Sequence, residues 1–149
     1  MSFETLHTDT YAILEKDPFL SRMQVEIILE DLGDVETAIS AAIAKMGVCA
    51  IVSTPSAKAQ SEASRNIVAQ ARICVQVMEL PVTNRGVANT CSAGTAARRI
   101  ATALNLQKTA GGECLVFDEI ESAALEKGYV VYNVWLKALT NLTLTEKEE

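Results

Sequence analysis

Side chains able to do chemistry are few in this chain and spread along it. Four cysteines (Cys49, Cys74, Cys91 and Cys114) and one histidine, His7, are the candidates for metal or thiolate work. Structural zinc sites draw their ligands in close pairs, because two donors a few residues apart reach one tetrahedral ion without ordering a long loop. The cysteine spacings here are wide, no CxxC pair occurs, and a single imidazole does not complete a ligand set. No metal site is expected. Cys49 and Cys74 fall inside apolar, strand-like runs, where cysteine packs as a small hydrophobe. Cys91 stands just ahead of a helix start, where the dipole would favour a thiolate, but no motif brings a base to it. His7 lies on a face of an amphipathic segment, with neither an orienting partner nor a nucleophile to serve.

Three further groups carry charge or glycine. GVANTCSAGTAARR, residues 86–99, follows a strand and opens a helix, as a phosphate loop does. A P-loop needs lysine directly after its second glycine to reach the β- and γ-phosphates, whereas Thr95 follows Gly94 here and Gly86 is too distant. The segment reads as a loop and helix cap. Asp118, Glu119 and Glu121 read as a solvated strand face or an edge-strand guard, in preference to a metal site. Arg98 and Arg99 read as an ion pair or subunit contact in preference to a phosphate clamp. A formal net charge of −6 gives an unfavourable long-range field toward nucleic acid. The residues compose no catalytic constellation, and no cofactor is expected.

The elements that would position these groups follow from periodicity. Residues 2–16 place Phe3, Leu6, Tyr11, Ala12 and Ile13 at helical spacing, with Ser2 as cap and Asp17-Pro18 as stop. Residues 22–30 alternate, with Met23, Val25, Ile27 and Leu29 on one face and Ile28 as the exception. A helix follows from an Asp34 cap to Gly47, then a short strand over residues 48–55. The polar stretch 56–66 reads as the least ordered interior loop. Residues 67–80 give the clearest strand, in which Ala71, Ile73, Val75 and Val77 alternate with Arg72, Cys74, Gln76 and Met78. PVTNRG breaks it. A helix capped by Ser92 or Thr95 follows, burying Ala96, Ile100, Ala103 and Leu104, and residues 115–126 and 129–139 form a hairpin about Lys127-Gly128.

The order α-β-α-β-β-α-β-β predicts an α+β class: four or five mostly antiparallel strands packed by about three helices. At 149 residues one domain is expected, 1–149, with 143–149 as a flexible tail. With one Trp, three Tyr and three Phe, the core must be built from Val, Ile, Leu and Ala. The first residues lack a basic stretch and an apolar run, and no segment offers ~18 apolar residues in succession, so neither a signal peptide nor a membrane span is expected. Reduced thiols fit a cytosol.

The segment ARICVQVMELPVTNRG, residues 71–86, resembles the tail terminator or tail completion proteins of tailed bacteriophages. In those, a central strand ends in a Pro-x-x-Asn-Arg-type turn, here Pro81, Asn84 and Arg85, followed by a small-residue loop, an amphipathic helix and a terminal β-hairpin. The polar stretch 56–66 has no counterpart in the resemblance. What the resemblance implies is a virion structural protein, made in the host cytoplasm, without catalysis or cofactor. It would form a ring of its own copies, usually a hexamer, that caps the tail tube and joins it to the neck, while DNA passes through unbound. Pro81, Asn84 and Arg85 are the expected turn that fixes the subunit's shape or docking, and Arg98 and Arg99 are further docking candidates from their own charge. Two other readings remain open: a head–tail connector, neck or tail-tube subunit, and a small cytosolic enzyme or binding domain. Tail-tube subunits usually carry more strand and fewer helices.

Overall fold

A computed structural model describes residues 2–30, 33–60, 65–123 and 128–144. Helices α1 (Ser2–Glu15) and α2 (Pro18–Arg22) lead into strand β1 (Glu26–Leu29), helix α3 (Val35–Met46) and strand β2 (Val48–Val52). Strands β3 (Ser56–Ala59) and β4 (Val68–Glu79) precede the helical turn α4 (Pro81–Asn84). Helix α5 (Ala93–Leu104) and strands β5 (Val116–Ser122) and β6 (Val130–Asn141) complete the described elements. One sheet runs β1-β2-β4-β6-β5, with β3 pairing β4 alongside β2. The α+β class is as the periodicity predicts.

Strands β4 and β6, 12 residues each, pair along their full length and form the spine. Alternation sorts their side chains. Ala71, Ile73, Val75 and Val77 of β4 and Val134, Leu136 and Ala138 of β6 face one side, where α1 and α5 pack with Leu6, Leu14, Ala93, Ala96, Ala97, Ile100 and Leu104. Each large aliphatic side chain buried there contributes about 2 kcal/mol. The opposite face is covered by α3 over β1 and β2, through Ile28, Ala42, Ile43, Cys49 and Ile51. Ile28 is therefore no exception to its strand: β1 is covered on both faces, so Leu29 and Ile28 each have a core to enter.

Several boundaries differ from the predicted ones. The stretch expected as a strand from residue 22 begins instead with α2, because Asp17 caps it: its Oδ2 accepts from the Leu20 amide at 3.0 Å, and Pro18 takes the first helical position. Asp-Pro is thus a start as well as a stop. Helix α1 already includes Ser2, so Ser2 belongs to its first turn and is not its cap. Its buried stripe includes His7 and Thr10, and Thr10 Oγ1 donates to the Leu6 carbonyl at 2.7 Å. β1 and β2 run parallel, since α3 is a crossover between them. The expected loop 56–66 opens with a strand, β3, whose antiparallel register to β4 runs from Ser56↔Arg72 to Ala59↔Ala69. Small polar residues hid it, because an exposed edge strand needs no apolar alternation. Its residues 61–64, the turn at Lys127 and the tail 145–149 lie outside the described residues. Where PVTNRG was read as a break, Pro81 starts a helical turn.

Candidate functional site

The three residues Pro81, Asn84 and Arg85 separate in space by role. Pro81 occupies the first turn of α4, where its missing N–H costs nothing, and the Asn84 amide donates to Leu80 O at 3.0 Å. Asn84 turns inward and is buried. Its Nδ2 donates to Glu79 Oε2 at 2.8 Å and to the Cys91 carbonyl at 2.9 Å. Glu79 Oε1 in turn accepts from the Ala93 amide at 2.9 Å, at the start of α5. One carboxylate and one amide thus tie the end of β4 to α4 and to the N-terminus of α5, where the helix dipole favours a negative group. Arg85 is exposed, and Val82 beside it is 83% exposed.

The arginine pair also divides. Helical spacing puts Arg98 and Arg99 on different flanks of α5, which Ser92 caps by accepting from the Thr95 amide at 3.2 Å. Arg98 is exposed and lines a cleft of about 350 Å³ with Gly94, Thr95, Ile120 and Tyr132. Arg99 reaches back to Asp17: its Nη2 donates to Oδ1 at 2.6 Å and its Nε to Oδ2 at 3.1 Å. Burial alone would raise the Asp17 carboxyl. The Arg99 hydrogen bonds and charge, with the Leu20 amide, outweigh it and hold Asp17 below the usual carboxylate value. This fork joins α5 to the cap of α2.

Sequence reasoning did not single out the face of β4, β6 and β5 opposite α1 and α5. Gln70, Arg72, Gln76, Asn133, Trp135 and Lys137 alternate onto it, with Glu119 and Glu121 of β5 in register. The Arg72 guanidinium lies 4.1 Å from the centroid of the Trp135 ring, and its Nη2 bonds Asp118 at 3.3 Å and Glu119 at 3.2 Å. Trp135 Nε1 donates to Glu121 Oε1 at 2.6 Å. Gln76 Nε2 donates to Asn133 Oδ1 at 3.1 Å. This is a ladder of cation, aromatic, amide and carboxylate. A cleft of about 440 Å³ separates it from Val35 and Ile39 of α3. The period-two pattern of β4 already put Arg72 on that face; its stacking partner was legible only as the lone Trp.

Three of the thiols, Cys49, Cys74 and Cys91, are pushed toward the protonated form and so away from nucleophilic work. Burial pushes Cys49 up to about 12 and Cys74 to about 11. Cys91 is raised as well, by burial first and then by the charge of Glu79. The expected benefit of a helix start at Cys91 is therefore overturned, because Glu79 already occupies the α5 amide. His7 is buried in the helix layer and lines none of the clefts described here.

No family model and no curated protein matches the chain. Among solved structures, its fold is similar to that of a chain in the virion of a native gene transfer agent particle. The TM-score is 0.64 and the identity 15%, over 91% of this chain and 94% of that one. The likeness spans nearly the whole of both chains, and at that identity it is a likeness of fold.

Proposed function

We propose that this chain is a structural subunit of a tailed-phage-like particle, and that within the particle it is a tail terminator or completion protein. The observation that carries the coarser reading is the fold shared end to end with a chain of a gene transfer agent virion. The finer reading rests on the sequence resemblance at Pro81, Asn84 and Arg85. It also rests on helix content, since roughly a third of the chain is helical, more than a tail-tube subunit usually has. Under this reading the subunit forms a ring of its own copies, as a hexamer, between tail tube and neck. A subunit charge of −6 becomes about −36 over six copies, which keeps a passing DNA duplex from sticking to the lumen. Val82 on α4, Arg85 at its C-terminal cap and Arg98 on α5 are the exposed contacts offered to neighbouring proteins. The role is structural, with no bond made or broken.

Negative-stain images of the purified full chain, together with labelling of the chain in intact particles, test this directly. Rings in the first and label at the junction of head and tail in the second are expected. Label along the tail shaft would favour a tube subunit, and label on the head side of the junction a connector. A chain that stays monomeric at high concentration and is missing from particles would overturn the reading altogether.

A further inference from the structure

Among the described residues the sheet ends in β1 and β3 on one side of the β4–β6 spine and in β5 on the other, and β3 and β5 each pair with one strand only. On one side lies β3, whose residues are all exposed; on the other lies β5. Hydrogen bonding fixes which backbone groups each edge offers. Gln60 N bonds Val68 O at 3.0 Å, so alternation directs Ser56 and Lys58 toward β4 and turns the amides and carbonyls of Ala57 and Ala59 outward. On β5, Ala123 N bonds Val131 O at 2.9 Å, which points Glu119 and Glu121 toward β6 and leaves Ile120 and Ser122 outward. The far end of β5 is plugged: Asn105 Oδ1 accepts from the Phe117 amide at 3.0 Å, and the register shifts between Phe117 and Glu119. What stays open on β5 is about as short as β3.

The side chains on the two edges are complementary. Lys58 is in register with Gln70 and so shares the Arg72–Trp135 face of the sheet, the same face that bears Glu119 and Glu121. On the other face, Ala57 and Ala59 are small enough to approach half-buried Ile120 beside α5. Direction agrees too. β3 and β6 run antiparallel to β4, and β5 runs antiparallel to β6, so β5 of one copy meets β3 of the next antiparallel when copies follow head to tail. β1 lies on the same side of β4 as β3, so it cannot propagate such a chain with β3.

We propose that neighbouring copies of this chain join by adding β3 of one to β5 of the next, with Ile120 and Ser122 exchanging backbone hydrogen bonds with Ala59 and Ala57, and Lys58 opposite Glu121. The contact is heterologous, so it closes into a ring when rotation permits. It deepens the ring assembly proposed above and rests on that reading. Non-hydrogen-bonded antiparallel partners have Cα atoms about 4.5 Å apart, within disulfide reach. In a single chain, by contrast, β3 and β5 are three strand spacings apart, about 14 Å.

Full-length Lys58→Cys/Glu121→Cys chain, oxidised mildly, is expected to give a covalent ladder that ends at the ring. Each single variant and the unmodified chain, whose own exposed Cys114 sets the background, are expected to give none. Lys58→Glu alone is expected to weaken assembly at least tenfold by concentration-dependent light scattering, and addition of Glu121→Lys to restore it. Ala57→Pro, which removes an outward amide but no bond to β4, is expected to block assembly while leaving the monomer folded. Rings without the ladder, or rings indifferent to Lys58→Glu, would overturn this pairing and leave the ring reading standing. Absence of any assembly would overturn both.

Discussion

Charge at Asp17 is where a single residue couples helix α5 to the cap of α2. Its carboxyl is held below the ordinary value of 3.8, so the folded state binds its proton less readily than the unfolded chain. The stability this supplies is complete above that value and is lost as pH falls through the lower, folded one. Asn caps a helix about as well as Asp, so Asp17→Asn removes the charge pairing with Arg99 while keeping the cap on α2. The variant is expected to be less stable at neutral pH and to lose less on acidification, read as urea midpoints from pH 6 to pH 2.5. A parallel acid limb in both proteins would contradict the assignment. Gly47 is a second residue-scale case. At φ 75° it ends α3 in the left-handed region, and a Cβ there would lie 2.5 Å from the Asn84 backbone nitrogen. Gly33, at φ 66°, has open space around the same position. Gly33→Ala is expected to cost about 1 kcal/mol and Gly47→Ala about 3 kcal/mol or more, measured by chemical denaturation.

Among the described helices, α5 is the most extensively packed: it lies on β4, β5 and β6, meets α1, and anchors Asp17 through Arg99. Its N-terminus is satisfied twice, by Ser92 at the Thr95 amide and by Glu79 at the Ala93 amide. Ser92→Ala is expected to cost about 1 kcal/mol and to speed hydrogen exchange in the first turn of α5, leaving the amides near Leu104 unchanged. Uniform acceleration along the helix would mean that the cap stabilises the whole element. Helix α3 behaves differently. It packs on β1, β2 and α4, and beyond them the Arg72–Trp135 face of β4, β6 and β5 opens onto a cleft. The sheet thus carries helices on both faces, α1 and α5 on one and α3 over only part of the other.

Across the whole molecule, a net charge of −6 gives a long-range field unfavourable to nucleic acid, and the edge strands β3 and β5 are the surfaces on which the proposed ring rests. In gel-shift measurements at physiological salt, the assembled protein is expected to retain no duplex DNA. Retention that weakens steeply with added salt would instead reveal a concentrated basic surface. The exposed apolar residues Ile67, Val68, Leu139 and Leu144 cluster in sequence at the ends of β4 and β6, where the Ile67 amide donates to Thr143 Oγ1 at 2.6 Å and Leu142 N to Ile67 O at 2.8 Å.

Local rules were enough where one face of an element is buried and the other wet. The alternation of Ala71, Ile73, Val75 and Val77, the Asp34 cap and the helix end at Gly47 each follow from side-chain period or backbone sterics, and the structure bears them out; of the two caps offered for α5, Ser92 and Thr95, it selects Ser92. Tertiary structure alone decided what local rules leave degenerate. Ile28 and Leu29 are equally apolar, and it took α3 on the second face to give each its own core. Ser56–Ala59 carries no pattern of its own, so only pairing with β4 makes it a strand. Asn84 reads as a turn or docking residue because burial is not written in polarity, whereas Arg99, read as an ion pair or subunit contact, makes the ion pair. Glu79 holds the Asn84 side-chain nitrogen and Asp17 holds Arg99, through contacts that span from 5 to 82 positions in sequence, which no local pattern announces.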